Sequence, residues 1–194
     1  LSRGLGDVYK RQENKMQEFK KVRLETIDTT GIMRLNDPDA MNAVSDEMLD
    51  GLWSCLNEVE NSKSNIKCLV ITGEGRGFCA GANLSGGSDR SNTGRQDAGH
   101  RLETSYHPIL RRIKNLKIPM ITSVNGPAAG VGMSLALMGD IILAGKSAFF
   151  LQAFRRIGLV PDGGSTWLLP RLVGMARAKA VSYTHLRAHE TMVD

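Results

Sequence analysis

Two Gly/Ala-rich turns limit how this 194-residue chain can fold more than any other feature. The first reads Gly75-Arg76-Gly77-Phe78-Cys79-Ala80-Gly81-Ala82-Asn83-Leu84, the second Val124-Asn125-Gly126-Pro127-Ala128-Ala129-Gly130-Val131-Gly132. Each follows a short apolar run of strand character, residues 68–72 and 119–124, and the second leads into a helical run, 133–138. Small residues at a strand-to-helix turn let another group reach the backbone and leave N–H groups free at a positive helix end. Two such turns can aim two N–H groups at one oxygen, the arrangement of an oxyanion hole. Either turn alone reads equally well as an ordinary loop.

The flanking segments supply the layers. Residues 22–27 and 32–35 read as paired strands around a turn at 28–31. Ser45 is a candidate N-cap, with Asp46 and Glu47 placed to favour the helix dipole. Met48, Leu49, Leu52, Leu56 and Val59 then recur at helical spacing. Residues 86–99 are polar and Gly-rich and predict a mobile loop. Residues 102–116 predict a helix with Ile109, Leu110, Ile113 and Leu116 on its apolar side. Periodicity gives an α/β class and no more.

Several function classes lose support. Gly130-Val131-Gly132 is followed by Leu135 where GxGxxG needs a third glycine, and GxxxxGK[ST] is absent. The net charge of +5 suits an anionic ligand and would suit nucleic acid, but no aromatic-rich basic patch accompanies it. No apolar run reaches the ~18 residues of a membrane span. Cys55, Cys68 and Cys79 are odd in number and lack CxxC spacing, so they read as thiols of a reduced compartment. Cys79, beside the first turn, has no histidine near it in sequence to activate it as a nucleophile. His185 and His189 stand four apart but without the glutamate of HExxH, so no metal site is expected.

The two turns together closely resemble those of the crotonase superfamily, the enoyl-CoA hydratase/isomerase family. Three further segments agree in order and spacing. They are Leu35-Asn36-Asp37-Pro38-Asp39-Ala40-Met41-Asn42-Ala43-Val44, Asp140-Ile141-Ile142-Leu143-Ala144, and the run from Gln152 through Phe154, Pro161 and Asp162 to Gly164. The resemblance covers about residues 19–181. It implies a ClpP-like spiral of ββα units and an acyl-CoA thioester as ligand. Coenzyme A is then part of the substrate, no separate cofactor is needed, and membrane and nucleic acid are not the expected partners.

The resemblance also assigns roles. The N–H groups of Ala82 and Val131 would hold the thioester oxygen. Val131 replaces a common glycine and would narrow the pocket without removing the donor. Ala40 and Ala80 would meet the adenine end of CoA, with Met41, Gly81, Asn83, Leu84 and Gly130 also lining the CoA and substrate path. Asn83 stands where the family usually has Asp, which puts that loop's internal hydrogen bonds in question. A hydratase of the family carries two glutamates, at the positions of Ser134 and Phe154 here. With neither present, Asp162 is the expected acid/base, as in 3-enoyl-CoA isomerases. Residues 152–171 look most like the phenylacetate-pathway ring-epoxide isomerase branch. Hydration of 2-enoyl-CoA, or non-catalytic binding of acyl-CoA or RNA, remain the alternatives. Read from the residues alone, Asp162 is also a natural turn residue in Pro-Asp-Gly.

The ends leave the family pattern. Residues 1–12 (LSRGLGDVYKRQ) and 182–194 resemble translated adapter or vector sequence. The expected natural core is 13–181, bacterial and cytoplasmic. The family's C-terminal helical region, which closes the acyl pocket and builds a trimer or hexamer, is expected to be missing. Poor solubility and little activity would follow.

Overall fold

The computed structural model describes residues 15–83 and 98–183. A six-stranded sheet organises them: β1 (Lys15–Phe19), β2 (Val22–Ile27), β3 (Thr30–Leu35), β4 (Cys68–Gly73), β5 (Met120–Val124) and β7 (Ile141–Ala144), in that spatial order. β1 to β3 run antiparallel through tight turns, and β3, β4, β5 and β7 are parallel. A second sheet pairs β6 (Pro127–Ala129) with β8 (Phe149–Leu151), also in parallel.

The register explains the core. Leu24 lies opposite Met33, Met33 opposite Ile71, and Ile71 opposite Thr122. Directly opposed residues share a face of a sheet, and all four are fully buried. Thr122 is tolerated in this row because its hydroxyl donates to the Ala136 carbonyl at 2.7 Å. Helix α1 (Asp46–Val59) adds Met48, Leu49, Leu52, Cys55, Leu56 and Val59, one stripe at helical spacing. Full burial of such a side chain is worth ~1.5–3 kcal/mol. The expected cap is present: Ser45 Oγ accepts from the Met48 N–H at 3.2 Å.

Several boundaries differ from the sequence reading. β1 was not expected; its alternation is half charged and it sits at the sheet edge. β3 starts at Thr30, inside the expected turn. The helix expected over 102–116 is a π turn (Leu102–Tyr106) followed by α3 (His107–Lys114), and a short α2 (Ala98–Arg101) precedes it. The His107 N–H reaches back to the Leu102 carbonyl, the five-residue span of a π turn. Gly99 is therefore helical, while residues 86–97 of the expected loop lie outside the described residues. Helix α4 (Val131–Ala136) begins two residues earlier than the helical run suggested. Past the second sheet come a 3₁₀ turn (Phe154–Ile157), α5 (Ser165–Val173) and α6 (Met175–Tyr183).

Candidate active site

The three loops singled out in the sequence meet at one place. Val44 forms an isolated parallel bridge with Ala82, and Cys79 another with Ala128. The Ala80 N–H donates to the Met41 carbonyl at 2.9 Å, joining the early loop to the first turn. The Ala129 N–H donates to the Cys79 carbonyl at 2.9 Å, joining the first turn to the second. Asn83 keeps its backbone bond, N–H to the Val44 carbonyl at 3.1 Å, so its replacement of Asp leaves this part of the loop intact. Ala40 lies in a short 3₁₀ turn (Pro38–Ala40) and Ala80 is exposed beside it. Leu84 lies outside the described residues.

The two expected donors are among the N–H groups left over here. The bridge to Val44 uses the Gly81 carbonyl and the Asn83 N–H. In an extended chain the N–H of the residue between them faces the other way. Among the described residues, neither the Ala82 N–H nor the Val131 N–H has an acceptor. Glycine makes the approach possible. Gly130 has φ +52 and ψ −126, and Gly81 has φ +99, both outside what L side chains readily adopt. A Cβ on Gly81 would stand 2.9 Å from the Ala129 carbonyl oxygen and 3.8 Å from Gly130 Cα.

One methyl of Val131 lies 3.3 Å from where a Gly163 Cβ would sit. The Val131 side chain is buried in a small apolar void with Val44, Leu49, Tyr106, Ile109 and Leu135. Ser134 is fully buried, and Phe154 nearly so, with its ring end 3.8 Å from where a Gly130 Cβ would sit. Apolar carbon, not a carboxylate, therefore closes that side of the second turn.

Asp162 stands on a cavity of about 490 Å³ with His107, Leu110, Arg111, Met138 and Trp167. Its Oδ1 is buried and has no hydrogen-bond partner among the described residues. Burial raises its pKa above the ordinary carboxyl value; His107 across the cavity pulls it partly back. The turn role belongs to its main chain instead, since the Asp162 carbonyl accepts from Ser165 N at 3.1 Å and from Ser165 Oγ at 2.9 Å. A turn Asp would commit its carboxylate to a nearby N–H; this one is uncommitted and faces a cavity, the pattern of a functional carboxyl. His107 escaped the sequence reading. Its Nδ1 lies 2.9 Å from Glu103 Oε1, and Glu103 also holds Arg111. It reaches this wall with Leu110, Arg111 and Lys114, the residues three, four and seven places further along α3.

Cys79 is inert by contrast. It is fully buried, and burial pushes its thiol up to about 11 despite a hydrogen bond from the Gly81 backbone. A second cavity of about 420 Å³ between α1 and α3 has its acids paired, Asp46 with Arg101 and Asp50 with Lys20, and includes none of the expected site residues. Among the described residues no group of three or more His, Cys, Asp or Glu is placed to hold a metal, and no helix is long and apolar enough to cross a membrane.

The sequence profile of the enoyl-CoA hydratase/isomerase family matches residues 25–191. The chain belongs to this family. Its relatives in the family include the 1,2-epoxyphenylacetyl-CoA isomerase of Escherichia coli K12, 46% identical over 150 residues, which are 77% of this chain and 57% of that protein. A probable enoyl-CoA hydratase of Rhodobacter capsulatus is 39% identical over 168 residues, covering 84% of this chain and 61% of the relative. The crystal structure of an enoyl-CoA hydratase/isomerase from Cupriavidus metallidurans CH34 superposes with a TM-score of 0.79 at 34% identity, covering 88% of this chain and 63% of that one. The α/β spiral implied by the resemblance is thus the fold of the chain, which spans under two thirds of the length of each of these family members.

Proposed function

We propose that the protein is an acyl-CoA isomerase in which one carboxylate, Asp162, carries the proton. The Ala82 and Val131 N–H groups receive the thioester oxygen. The Asp162 carboxylate takes a proton from the α-carbon, and the C–H electron pair moves into the thioester to give an enolate oxygen on the two donors. With a β,γ double bond in the acyl group the charge spreads to the γ-carbon. Asp162 returns the same proton there, and the double bond ends between the α- and β-carbons. Losing one donor to such an oxygen typically costs ~10²–10³ in rate.

The observation that carries the reading is the uncommitted, half-buried Asp162 carboxyl on its cavity, with Ser134 and Phe154 where a hydratase would have glutamates. A raised pKa suits a group that must both accept and return a proton. The 46% identity to a ring-epoxide isomerase supports an aromatic acyl group as one substrate class. Ala40, Met41, Ala80, Gly81, Asn83, Leu84 and Gly130 would line the CoA path. No cofactor beyond the substrate's own CoA enters the scheme. Assembly as a homotrimer or hexamer is part of the same reading, with Ile141, Leu143, Val160 and Trp167, each more than half exposed, available for contacts between copies; sedimentation of the intact protein reads it.

The deciding experiment compares Asp162→Asn with the parent on 3-enoyl-CoA, each in a full-length protein. A loss of ~10²–10⁴ in turnover is expected. Unchanged turnover would remove Asp162 from the mechanism, and faster hydration of 2-enoyl-CoA than isomerisation by the parent would favour a hydratase.

A further inference from the structure

We infer that Ser134 is a positioning residue that fixes Asp162 relative to the Ala82–Val131 donor pair, an inference that rests on the proposed role of Asp162. Ser134 stands one helical turn after Val131 on α4 and is fully buried. Its Oγ is 2.9 Å from the Asp162 carbonyl and 3.4 Å from the Gly130 carbonyl. One hydroxyl has one proton to give, and the shorter contact is the better bond. The neighbouring backbone lies directly on the same side chain: a Cβ on Gly163 would be 2.8 Å from Ser134 Cβ and 2.9 Å from its Oγ.

The other hydrogen bonds to the Asp162 carbonyl, from Ser165 N and Ser165 Oγ, come from three residues further along the same segment. They shape the turn but say nothing about where it sits. Among the described residues, the Ser134 hydroxyl is the one hydrogen bond tying Asp162 to the helix that carries the Val131 donor. Asp162 Oδ1 is buried without a hydrogen bond among the described residues, so the position of the carboxyl follows that of its main chain. In hydratases of the family this position holds a reacting carboxylate. Here a short side chain holds the acid/base at arm's length from the neighbouring segment.

Removing the hydroxyl frees the 162–163 turn to move outward, where water reaches the carboxyl. The groups facing Asp162 are His107, Arg111 and Lys114 from α3 on the cavity wall, and the buried Tyr106 phenol from the π turn. All stay in place in a Ser134 variant, so a change in Asp162 titration reports its own displacement. The test is a ¹³C-carboxyl NMR titration of aspartate-labelled protein. Asp162→Asn assigns the resonance, and Ser134→Ala is compared with the near-isosteric Ser134→Cys, which keeps the volume should the alanine variant fold poorly. The parent should titrate above the ordinary range and both variants nearer to it. In turnover, kcat should fall about tenfold or more while KM holds, as expected for a fraction of an ångström of misplacement. An Asp162 midpoint unchanged in both variants, with only the melting temperature lowered, overturns the inference. The NMR arm needs no turnover, so it stands apart from failure of the isomerase reading, which Asp162→Asn kinetics would reveal.

Discussion

Replacing Gly81 by alanine puts a methyl group between the two donor turns. The new Cβ would lie 2.9 Å from the Ala129 carbonyl oxygen, half an ångström inside the 3.4 Å at which ordinary contact begins. That oxygen belongs to main chain and cannot rotate aside, so the turns must separate. Two costs follow. The backbone at φ +99 is strained for any L residue, at about 1–3 kcal/mol. The donors also move apart, and since 1 Å of misplacement can cost 10²-fold, half of that predicts a loss of about tenfold in kcat. Gly174→Ala is the matched control. Gly174 has φ +81 between α5 and α6, and nothing lies within 4 Å of its added Cβ. It should show the strain as a lower melting temperature and leave kcat alone. Thermal unfolding and 3-enoyl-CoA turnover of both variants separate the effects. Equal kcat in the two would refute the argument that the contact between turns sets the donor geometry.

Two further outcomes follow from titration. Asp162→Asn should raise the melting temperature at neutral pH even as it removes turnover. Burial raises the folded carboxyl above 3.8, so the folded chain holds this proton more tightly than the unfolded one. Stability is lost as pH rises from 3.8 through the folded value, and the variant's advantage should vanish below that window; a gain that persists at pH 3 would sink this account. Cys79, with its thiol pushed up to about 11, should resist iodoacetamide at pH 8 while the partly exposed Cys68 reacts. Peptide mass mapping after a short exposure reads this, and equal labelling of the two would contradict the burial.

Much of the site was legible because it is built from residues whose chemistry is local. Gly81 and Gly130 advertise backbone that other residues avoid, and Ser45 followed by two acids advertises a helix start. β4 and β5 are short apolar runs beside those glycines. What escaped depends on distant partners. β1 is a strand because β2 is there to pair with it; its own alternation is half charged. His107 shares a face of α3 with Leu110, Arg111 and Lys114, but that this face looks onto Asp162 depends on a segment about 50 residues further along the chain. Ser134 was legible only as a missing carboxylate, because its hydroxyl acts on a carbonyl 28 residues away.

The two isolated bridges, Val44 with Ala82 and Cys79 with Ala128, hold the candidate oxygen-binding groups entirely through main chain. A donor made of main chain survives every change of the side chain that hangs from it except to proline, which has no N–H. Drift at positions 82 and 131 leaves both N–H groups in place so long as the adjoining glycines survive. The side chains at 134, 154 and 162 lie outside that main-chain framework, so on the proposed reading the reacting groups can change together over a fixed anchoring point. A scaffold arranged in this way separates the part of catalysis that every enolate chemistry shares from the part that distinguishes one reaction from another. New reactions become accessible in small steps, because each change of reacting group begins from an already stabilised charge.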